Sequence, residues 1–260
     1  DYVAIGTIAD MATLVGINHV LCKIGLEVLN KNLADGLRVG LHELLVFSGW
    51  DQHSAITAGD VGFKIGPRLN AAGRLGNALN SVNLMKTKNK EEAKNIAEFL
   101  HKENFERQQL EKTFTKEALL LCEDYKKEKE SSFVLHKEEW HPGVVGLVAS
   151  RVLEKHYKPT LIFGTWEGKL KGSGRSTHAF NLFAALNEVR SEFISFGGHY
   201  HAVGITLDPA KLSWLQNYLN EKVRENVSAN DRTPVLIIDG ILPLPMFTLN
   251  FVKMCEDIEP

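Results

Sequence analysis

A long stretch without glycine or proline, between Gly76 and Pro142, limits the possible folds more than any other feature of this sequence. From Lys90 to Lys127 apolar residues recur at roughly the helical period. These positions are Ala93, Ile96, Leu100, Phe105, Leu110, Phe114, Ala118 and Leu121. The residues between them are mostly Glu, Lys, Gln and Asn. The pattern predicts one long amphipathic helix that separates two domains and ends in the charged run 126–130.

The sequence before this helix predicts one buried strand followed by short helices. Residues 2–8 form an apolar run typical of a buried strand. Asp10 would lie at its carboxyl end, where the functional residues of open α/β sheets are found. Because a domain rarely opens on such a strand, we expect further sequence before Asp1. Helices are predicted at residues 20–30, 37–47, 58–65 and 77–85, with a loop at 66–74.

The sequence after the long helix predicts a second α/β unit. Strands are predicted at residues 133–136, 160–163, 169–175 and 203–207, and helices at 144–156, 181–189 and 210–225. Strands that alternate with helices indicate a sheet covered by helices. A further strand is predicted at residues 235–239. The segment that carries it is too short for a domain, and we interpret it as the start of another one.

Composition excludes several classes of protein. The 260 residues are 44% hydrophobic and 24% charged, which is typical of a soluble globular chain, and the longest apolar runs fall short of a membrane span. Cys22, Cys122 and Cys255 form no CxxC pair, so neither a zinc site nor a disulfide framework is expected. We therefore expect a cytoplasmic protein. The net charge is −2, so any anion site must be local.

Two candidate sites lie in the first half of the chain. Asp10 could be a ligand for a hard metal ion, although its position alone favours a helix cap or a solvated turn residue. Arg68 and Arg74 flank small residues in a predicted loop, where guanidinium groups and backbone amides could approach one anion. The structural alternative is that Gly73 ends a helix and Arg74 is a surface residue.

Three further clusters, each of which combines small residues with cationic residues or histidine, follow within about 60 residues of sequence. The first, His141 to Arg151, places glycines at a helix start, as in a phosphate cradle. The second, Lys169 to Ser176, could line a basic groove on a strand. The third, Phe196 to His199, exposes backbone amides at two glycines. Their structural alternatives are a turn cap with a surface ion pair, a lysine-protected edge strand, and a plain glycine turn before a core histidine.

Five ordered motifs resemble those of the RecJ-type exonucleases of the Asp-His-His (DHH) phosphoesterase superfamily. They are Asp1-Tyr-Val-Ala-Ile-Gly-Thr-Ile-Ala-Asp10, Pro67-Arg-Leu-Asn-Ala-Ala-Gly-Arg74, His141-Pro-Gly-Val-Val-Gly-Leu-Val-Ala-Ser-Arg151, Gly172-Ser-Gly-Arg-Ser176 and Phe196-Gly-Gly-His199. The resemblance covers essentially the whole chain. It implies an α/β fold with the C-terminal part of a DHH phosphoesterase domain at residues 1–88 and a connecting helix at 89–128. A DHH-associated α/β domain would follow at 129–228, and an oligonucleotide-binding (OB) fold would begin at 229–260.

The resemblance also implies roles for individual residues. Asp10 would be a catalytic ligand in a site for two Mn²⁺ or Mg²⁺ ions. Single-stranded DNA would be held by residues of the four later motifs. These are Arg68, Asn70, Arg74, His141, Arg151, Ser173, Arg175, Ser176, Gly197, Gly198 and His199. Trp140, Phe196 and Tyr200 are candidates for stacking on bases, with a place in the core as the alternative for each.

The sequence departs from the family pattern in several places. The Asp-His-His motif and the aspartate motifs before it are absent, and we expect them upstream of Asp1. Thr13 replaces a usual proline, and His19 stands where arginine is common. Tyr200 and His201 replace small residues after the Gly-Gly-His motif, a change that could alter the rim of the binding site.

The resemblance predicts a 5′→3′ exonuclease specific for single-stranded DNA, active in DNA repair and recombination, with helicases or single-strand-binding proteins as partners. The 260-residue chain itself is expected to cleave DNA poorly or not at all, because one acidic ligand cannot hold a metal pair. Two alternatives stay open. One is a related phosphoesterase for short oligonucleotides or cyclic dinucleotides, and the other is a non-catalytic module that binds single strands.

Overall fold

The long helix is the element that the sequence predicts most accurately. In the computed structural model, which describes residues 1–124 and 130–260, helix α7 spans Lys90–Asp124. Its buried side chains include Ala93, Leu100 and Phe114, as the helical period requires. The charged run predicted to end this helix lies outside the described residues, apart from Glu130.

The chain divides into two compact units, and the boundary falls within α7. The first unit comprises Asp1–Arg107 together with Ile238–Pro260, and the second comprises Gln108–Ile237. Helix α7 thus contributes residues to the core of each unit. The four domain ranges expected from the resemblance remain a proposal.

The first unit is built from helices. They are α1 (Tyr2–Ala9), α2 (Ile17–Ala34), α3 (Val39–Phe47), α4 (Ala58–Asp60) with a π-helical continuation (Val61–Ile65), α5 (Gly66–Leu75), α6 (Leu79–Lys86) and α11 (Leu249–Ile258). The helices from α1 to α6, together with the first part of α7, enclose one core, which includes Leu29, Leu44, Ile65 and Leu100. The predicted helices in this region are confirmed, with ends shifted by a few residues.

The strand predicted at residues 2–8 is wrong, because these residues form helix α1. A short apolar run has no period that separates a buried strand from a buried helix. Two features favour the helix. The Asp1 carboxylate caps it by accepting a hydrogen bond from the Tyr2 amide at 2.7 Å, and Gly25 of α2 allows close approach, since a Cβ there would lie 2.5 Å from Ala4 Cβ.

The loop predicted at residues 66–74 is also wrong, because these residues form helix α5. The Gly-Pro pair indicated a break in the chain, but Pro67 lies in the first turn of α5, where no N–H donor is needed. Ala71 and Ala72 are fully buried. Gly73 is therefore inside the helix, and the glycine that ends the helix is Gly76.

The strand predicted at residues 235–239 is not formed. A strand needs a neighbour to satisfy its backbone N–H and C=O groups, and these residues pair with none of the described strands. Val235 is 66% exposed and Leu236 is 84% exposed. The chain instead continues to helix α11, which contacts α2 through the Lys23 ammonium, a donor to the Asp257 carbonyl at 2.7 Å.

The second unit contains a five-stranded mixed sheet in the order β1-β2-β3-β5-β4. Its elements are β1 (Phe133–His136), α8 (Val145–His156), β2 (Thr160–Trp166), β3 (Lys169–Arg175), α9 (Leu182–Asn187), β4 (Ser195–His199), β5 (Ala202–Leu207) and α10 (Leu212–Asn226). Strands β1 and β2 are parallel, and the remaining neighbours are antiparallel. The α/β fold class is confirmed. The strand β4 replaces the glycine turn considered for residues 196–199.

The two faces of this sheet differ in character. One face carries the main core of the unit, formed with α9 and α10 and including Leu161, Phe163, Val203 and Leu215. Helix α8 covers β2 and β3 on the other face, where a Cβ on Gly146 would meet the side chain of Ser173. The part of that face formed by β5 and β4 carries small and polar residues, and it is the surface on which the candidate site lies.

No helix among the described residues is long and apolar enough to cross a membrane.

Candidate functional site

Three rows of paired residues cross strands β3, β5 and β4 on the open face of the sheet. Paired residues in antiparallel strands point to the same face. The rows are Lys171–Thr206–Ser195, Ser173–Gly204–Gly197 and Arg175–Ala202–His199. The sheet register therefore brings together the second and third predicted clusters, which lie more than 20 residues apart in sequence.

A groove of about 460 Å³ lies along this face. Its walls include Pro142, Lys171, Ser173, Ser195 and Thr206, and its floor includes the glycine pair 197 and 204. A Cβ built on either glycine would meet no described atom within 4 Å. The floor is thus open main chain, which a ligand can approach closely.

Helix α8 joins the first predicted cluster to the second. A Cβ on Gly146 would lie 3.2 Å from Arg175 Nη2 and 3.3 Å from Ser173 Oγ. A glycine at this position therefore leaves room for the guanidinium and hydroxyl groups of β3. The Arg175 guanidinium also donates through Nη1 to the Gly174 carbonyl at 2.8 Å, which fixes its direction.

His141 lies in the turn that leads into α8, and its hydrogen bond defines its tautomer. The Gly143 amide donates to His141 Nδ1 at 3.1 Å, so Nδ1 carries no proton. Partial burial lowers the pKa of His141, which favours the neutral ring at neutral pH. The neutral ring then has its proton on Nε2, and His141 can donate one hydrogen bond from that atom.

The amino terminus of α8 offers fewer free amides than a phosphate cradle would. The amides of Val144 and Val145 donate to the His141 carbonyl, and those of Leu147 and Val148 donate to the Val144 carbonyl. These donors are used within the chain. Contacts to an anion near α8 would therefore come mainly from side chains.

Two of the predicted phosphate contacts have other partners in the structure. The Ser176 hydroxyl is buried and donates to the Phe180 carbonyl at 2.8 Å, which fastens the loop after β3. Arg151 forms ion pairs with Glu111 at 3.2 Å and with Glu154 at 3.0 Å. These carboxylates raise the pKa of Arg151, and they would compete with a phosphate for the guanidinium.

His199 and the glycine before it are at the exposed edge of the sheet. Gly198 has φ = 150°, and a Cβ there would lie 2.2 Å from the Ala202 carbonyl oxygen. This position requires glycine. It allows β4 to stay paired with β5 up to His199, whose exposed ring lies in the same row as Arg175.

The remaining predicted contacts belong to helix α5 of the first unit. Arg68 is half-buried, donates to the Lys64 carbonyl at 2.8 Å and donates to His101 Nδ1 at 3.3 Å. Burial and the charge of Arg68 lower the pKa of His101. Asn70 and Arg74 are exposed, and Arg74 has further interactions within the structure. Through its hydrogen bond to His101, Arg68 links α5 to α7.

The described residues do not fit a metal centre. No group of three His, Cys, Asp or Glu side chains among them is arranged to hold a metal ion. Asp10 is exposed at the carboxyl-terminal end of helix α1 and not at a strand end. The strand-end position that suggested a metal ligand is therefore wrong, and the proposal that Asp10 binds a metal ion rests on the family resemblance alone.

Sequence reasoning did not assign Lys171, Ser195, Gly204 and Thr206 individually to the site. Strand β5 carries a signal that could have found two of them. Its residues alternate between core side chains and small or polar ones, with Val203 and Ile205 buried. That alternation does not show which strands pair with β5.

Comparison with known proteins matches the second unit to a recognised domain. The DHHA1 domain family matches residues 129–225. This range includes the groove and the whole five-stranded sheet.

Several relatives match the chain over most or all of its length. The single-stranded-DNA-specific exonuclease RecJ of Bacillus subtilis is 36% identical over 262 residues, which cover 100% of this chain and 33% of the relative. RecJ of Salmonella typhimurium is 34% identical, with coverage of 100% and 46%. The chain thus spans a third to just under half of the length of these relatives.

Solved structures of RecJ have the same fold. The crystal structure of RecJ in complex with Mn²⁺ from Thermus thermophilus matches with a TM-score of 0.79 and 32% identity, covering 98% of this chain and 36% of that one. A structure of exonuclease RecJ bound to manganese matches with a TM-score of 0.70 and 32% identity, covering 88% and 57%.

Proposed function

Because the chain is a homologue of RecJ along its full length and carries a DHHA1 domain, we propose that it is the strand-gripping part of an exonuclease specific for single-stranded DNA. The observation that carries the proposal is the cluster formed by Ser173, Arg175 and Gly146 beside the glycine-floored groove. The groove and the three rows of residues beside it would hold the sugar-phosphate backbone of the substrate.

The chemistry of the groove suits a phosphodiester chain. Lys171 in the groove and Arg175 beside it supply positive charge, and Ser173 and Thr206 supply hydroxyl groups. Groups of this kind bind phosphate oxygens without reading sequence. The net charge of −2 means that attraction to DNA would come from this local cluster and not from the chain as a whole.

The open floor favours a single strand in an extended form. Gly197 and Gly204 let a backbone lie directly on the sheet. His141 would add a neutral donor at the side of the groove. Discrimination against duplex would then follow from the close approach of one strand to the sheet.

Bond cleavage would belong to the intact enzyme. Metal-assisted hydrolysis of a phosphodiester needs several acidic or imidazole ligands, and the described residues bring no three of them together. Two ions, Mn²⁺ or Mg²⁺, would rest on residues outside this chain, with Asp10 as one further ligand. We expect the 260-residue chain alone to bind single strands and to cleave them poorly or not at all.

The proposed parent enzyme would degrade strands in the 5′→3′ direction during DNA repair and recombination in the cytoplasm. The second unit would contribute proximity by fixing the strand next to the metal site. Helicases or single-strand-binding proteins would supply its substrate. Each of these points rests on the resemblance of the sequence motifs to the family.

A nuclease acting on short oligonucleotides or cyclic dinucleotides is the alternative enzyme. The groove is lined by residues of the three strands β3, β4 and β5 and is open to solvent on the sheet face. An open groove suits a polymer better than a closed pocket would. Binding of a long single strand in preference to a dinucleotide would support the exonuclease.

Fluorescence anisotropy with the 260-residue chain tests the proposal. A 5′-labelled single strand of about 20 nucleotides should bind, and an unlabelled single strand should displace it far better than the same sequence as a duplex or a cyclic dinucleotide. A manganese-dependent cleavage assay on the same strand should give little product. Absence of binding, or equal displacement by duplex, would overturn the proposed function.

A further inference from the structure

Three aromatic residues near the groove are candidates for contact with bases, and the structure separates them. Trp140 is 1% exposed, and its indole N–H donates to Glu117 Oε2 at 2.8 Å. Phe196 is stacked on Phe183 and on Phe193 within the core of the unit. Tyr200 is 42% exposed. Of these three, only Tyr200 presents a ring to a ligand.

Hydrogen bonds hold Tyr200 in one position. Its hydroxyl donates to the His178 carbonyl at 3.0 Å, and its carbonyl accepts from the Leu182 amide at 3.1 Å. The His178 ring is itself fixed by the Tyr157 hydroxyl at 2.9 Å. The side chain of Tyr200 is thus tied to the loop after β3 and its main chain to the first residue of α9, and little ordering remains for ligand binding.

Tyr200 is next in the chain to the proposed phosphate-binding rows. Tyr200 and His201 form the turn between β4 and β5, immediately after the row Arg175–Ala202–His199. The Ser176 amide donates to the His201 carbonyl at 2.9 Å, which ties the turn to the end of β3. The ring centroids of Tyr200 and His201 are 4.5 Å apart, so one side of the tyrosine is already supported.

We propose that Tyr200, supported by His201, is a stacking platform for one nucleobase of a single strand whose phosphates are bound around Ser173 and Arg175. This inference rests on the proposed function and adds a contact that depends on the base. An aromatic ring stacks on any base, because every base has a π-face. The platform would therefore strengthen binding without selecting a sequence, and it would favour unpaired bases over paired ones.

Variants of Tyr200 and a strand without bases test the platform. The test measures affinity of the 260-residue chain for an oligothymidylate and for a strand of equal length with abasic sites throughout. Tyr200→Leu should weaken binding of the oligothymidylate about tenfold and leave binding of the abasic strand unchanged. Tyr200→Phe keeps the ring and should stay within about threefold of the wild type on both strands.

The outcomes distinguish this inference from the proposed function. An equal loss on both strands for Tyr200→Leu, or no loss on either, would overturn the platform while phosphate binding stands. A loss for Tyr200→Phe as large as for Tyr200→Leu would assign the effect to the hydroxyl and overturn it as well. Wild-type protein that binds neither strand would overturn the proposed function itself. Thermal unfolding monitored by circular dichroism checks that each variant is folded.

Discussion

A Cβ atom on Gly146 would lie 3.2 Å from Nη2 of Arg175. Helix α8 therefore approaches strand β3 so closely that a side chain at residue 146 would displace the groups of β3 by a few tenths of an ångström. Substitution by alanine favours the helix by up to about 1 kcal/mol and crowds the guanidinium. We expect Gly146→Ala to leave the free energy of unfolding within about 1 kcal/mol of the wild type and to weaken single-strand binding severalfold.

Urea denaturation and anisotropy on the same preparation check this prediction. Gly6→Ala is a matched control, since Gly6 is also helical and a Cβ there would meet no described atom within 4 Å. Unchanged affinity for Gly146→Ala would mean that Arg175 does not need its present position to bind a strand.

The glycines of the sheet give a second prediction, because they differ in what surrounds them. A Cβ on Gly204 would meet no described atom within 4 Å, whereas a Cβ on Gly172 would lie 2.3 Å from Phe163 Cδ1 and 2.6 Å from the Ile162 carbonyl oxygen. Gly204→Ala should leave stability nearly unchanged and weaken single-strand binding by raising the groove floor. Gly172→Ala should destabilise the protein by roughly 1–3 kcal/mol. Equal losses of unfolding free energy for Gly204→Ala and Gly172→Ala in urea titrations would contradict the assignment of these glycines to opposite faces of the sheet.

The buried side chain of Asn220 gives a third prediction, which concerns only the free energy of unfolding. Its Oδ1 accepts hydrogen bonds from the amides of Ser131 at 2.8 Å and Ser132 at 2.9 Å, and the residue is buried. Asn220→Ala would leave these amides without an acceptor and should cost roughly 2–4 kcal/mol. Asn226→Ala, on the exposed side of the same helix, should cost less than about 0.5 kcal/mol. Similar losses for both variants in urea denaturation would refute the structural role of Asn220.

From the environment of the Glu117 carboxylate we predict that the free energy of unfolding depends on pH. A hydrogen bond from the Trp140 indole, followed by one from Lys137, lowers the pKa of Glu117. A carboxyl group whose pKa is lowered by folding stabilises the protein above its unfolded pKa, and this contribution is lost as the pH falls through the folded value. Glu117→Gln should therefore be less stable than the wild type at pH 7 by less than about 1 kcal/mol.

The difference between Glu117→Gln and the wild type should disappear at a pH well below the ordinary glutamate pKa. Urea denaturation of both proteins across the acidic range measures it. A gap that widens as the pH falls would show that the ionised carboxylate does not stabilise the fold.

The sequence predicts elements well where their pattern is long. Helix α7 has a sustained period, and the second unit alternates strands with helices, so the order of these elements is recovered apart from strand β4, which the sequence did not predict. The errors fall on short segments. Residues 2–8 are mostly apolar and show no clear period, and Pro67 is compatible both with a loop and with the first turn of a helix.

The site was predicted as clusters of residues but not as a surface. Ser173 and Gly197 are brought to one row by Gly204, because β5 lies between β3 and β4. Strand order of this kind depends on long-range pairing, which the local pattern does not contain. The same is true of Ser176 and Arg151, whose partners Phe180 and Glu111 are known only once the chain is folded.

The salt dependence of single-strand binding tests the central claim most directly. Each phosphate contact releases counterions, and its loss reduces the slope of log Kobs against log salt concentration by about 0.7–1. We expect Arg175→Ala to weaken binding and to reduce this slope by that amount, whereas Arg190→Ala, at an exposed arginine of the same unit, leaves the slope unchanged. A slope for Arg175→Ala equal to that of the wild type would contradict the assignment of this groove as the phosphate-binding surface.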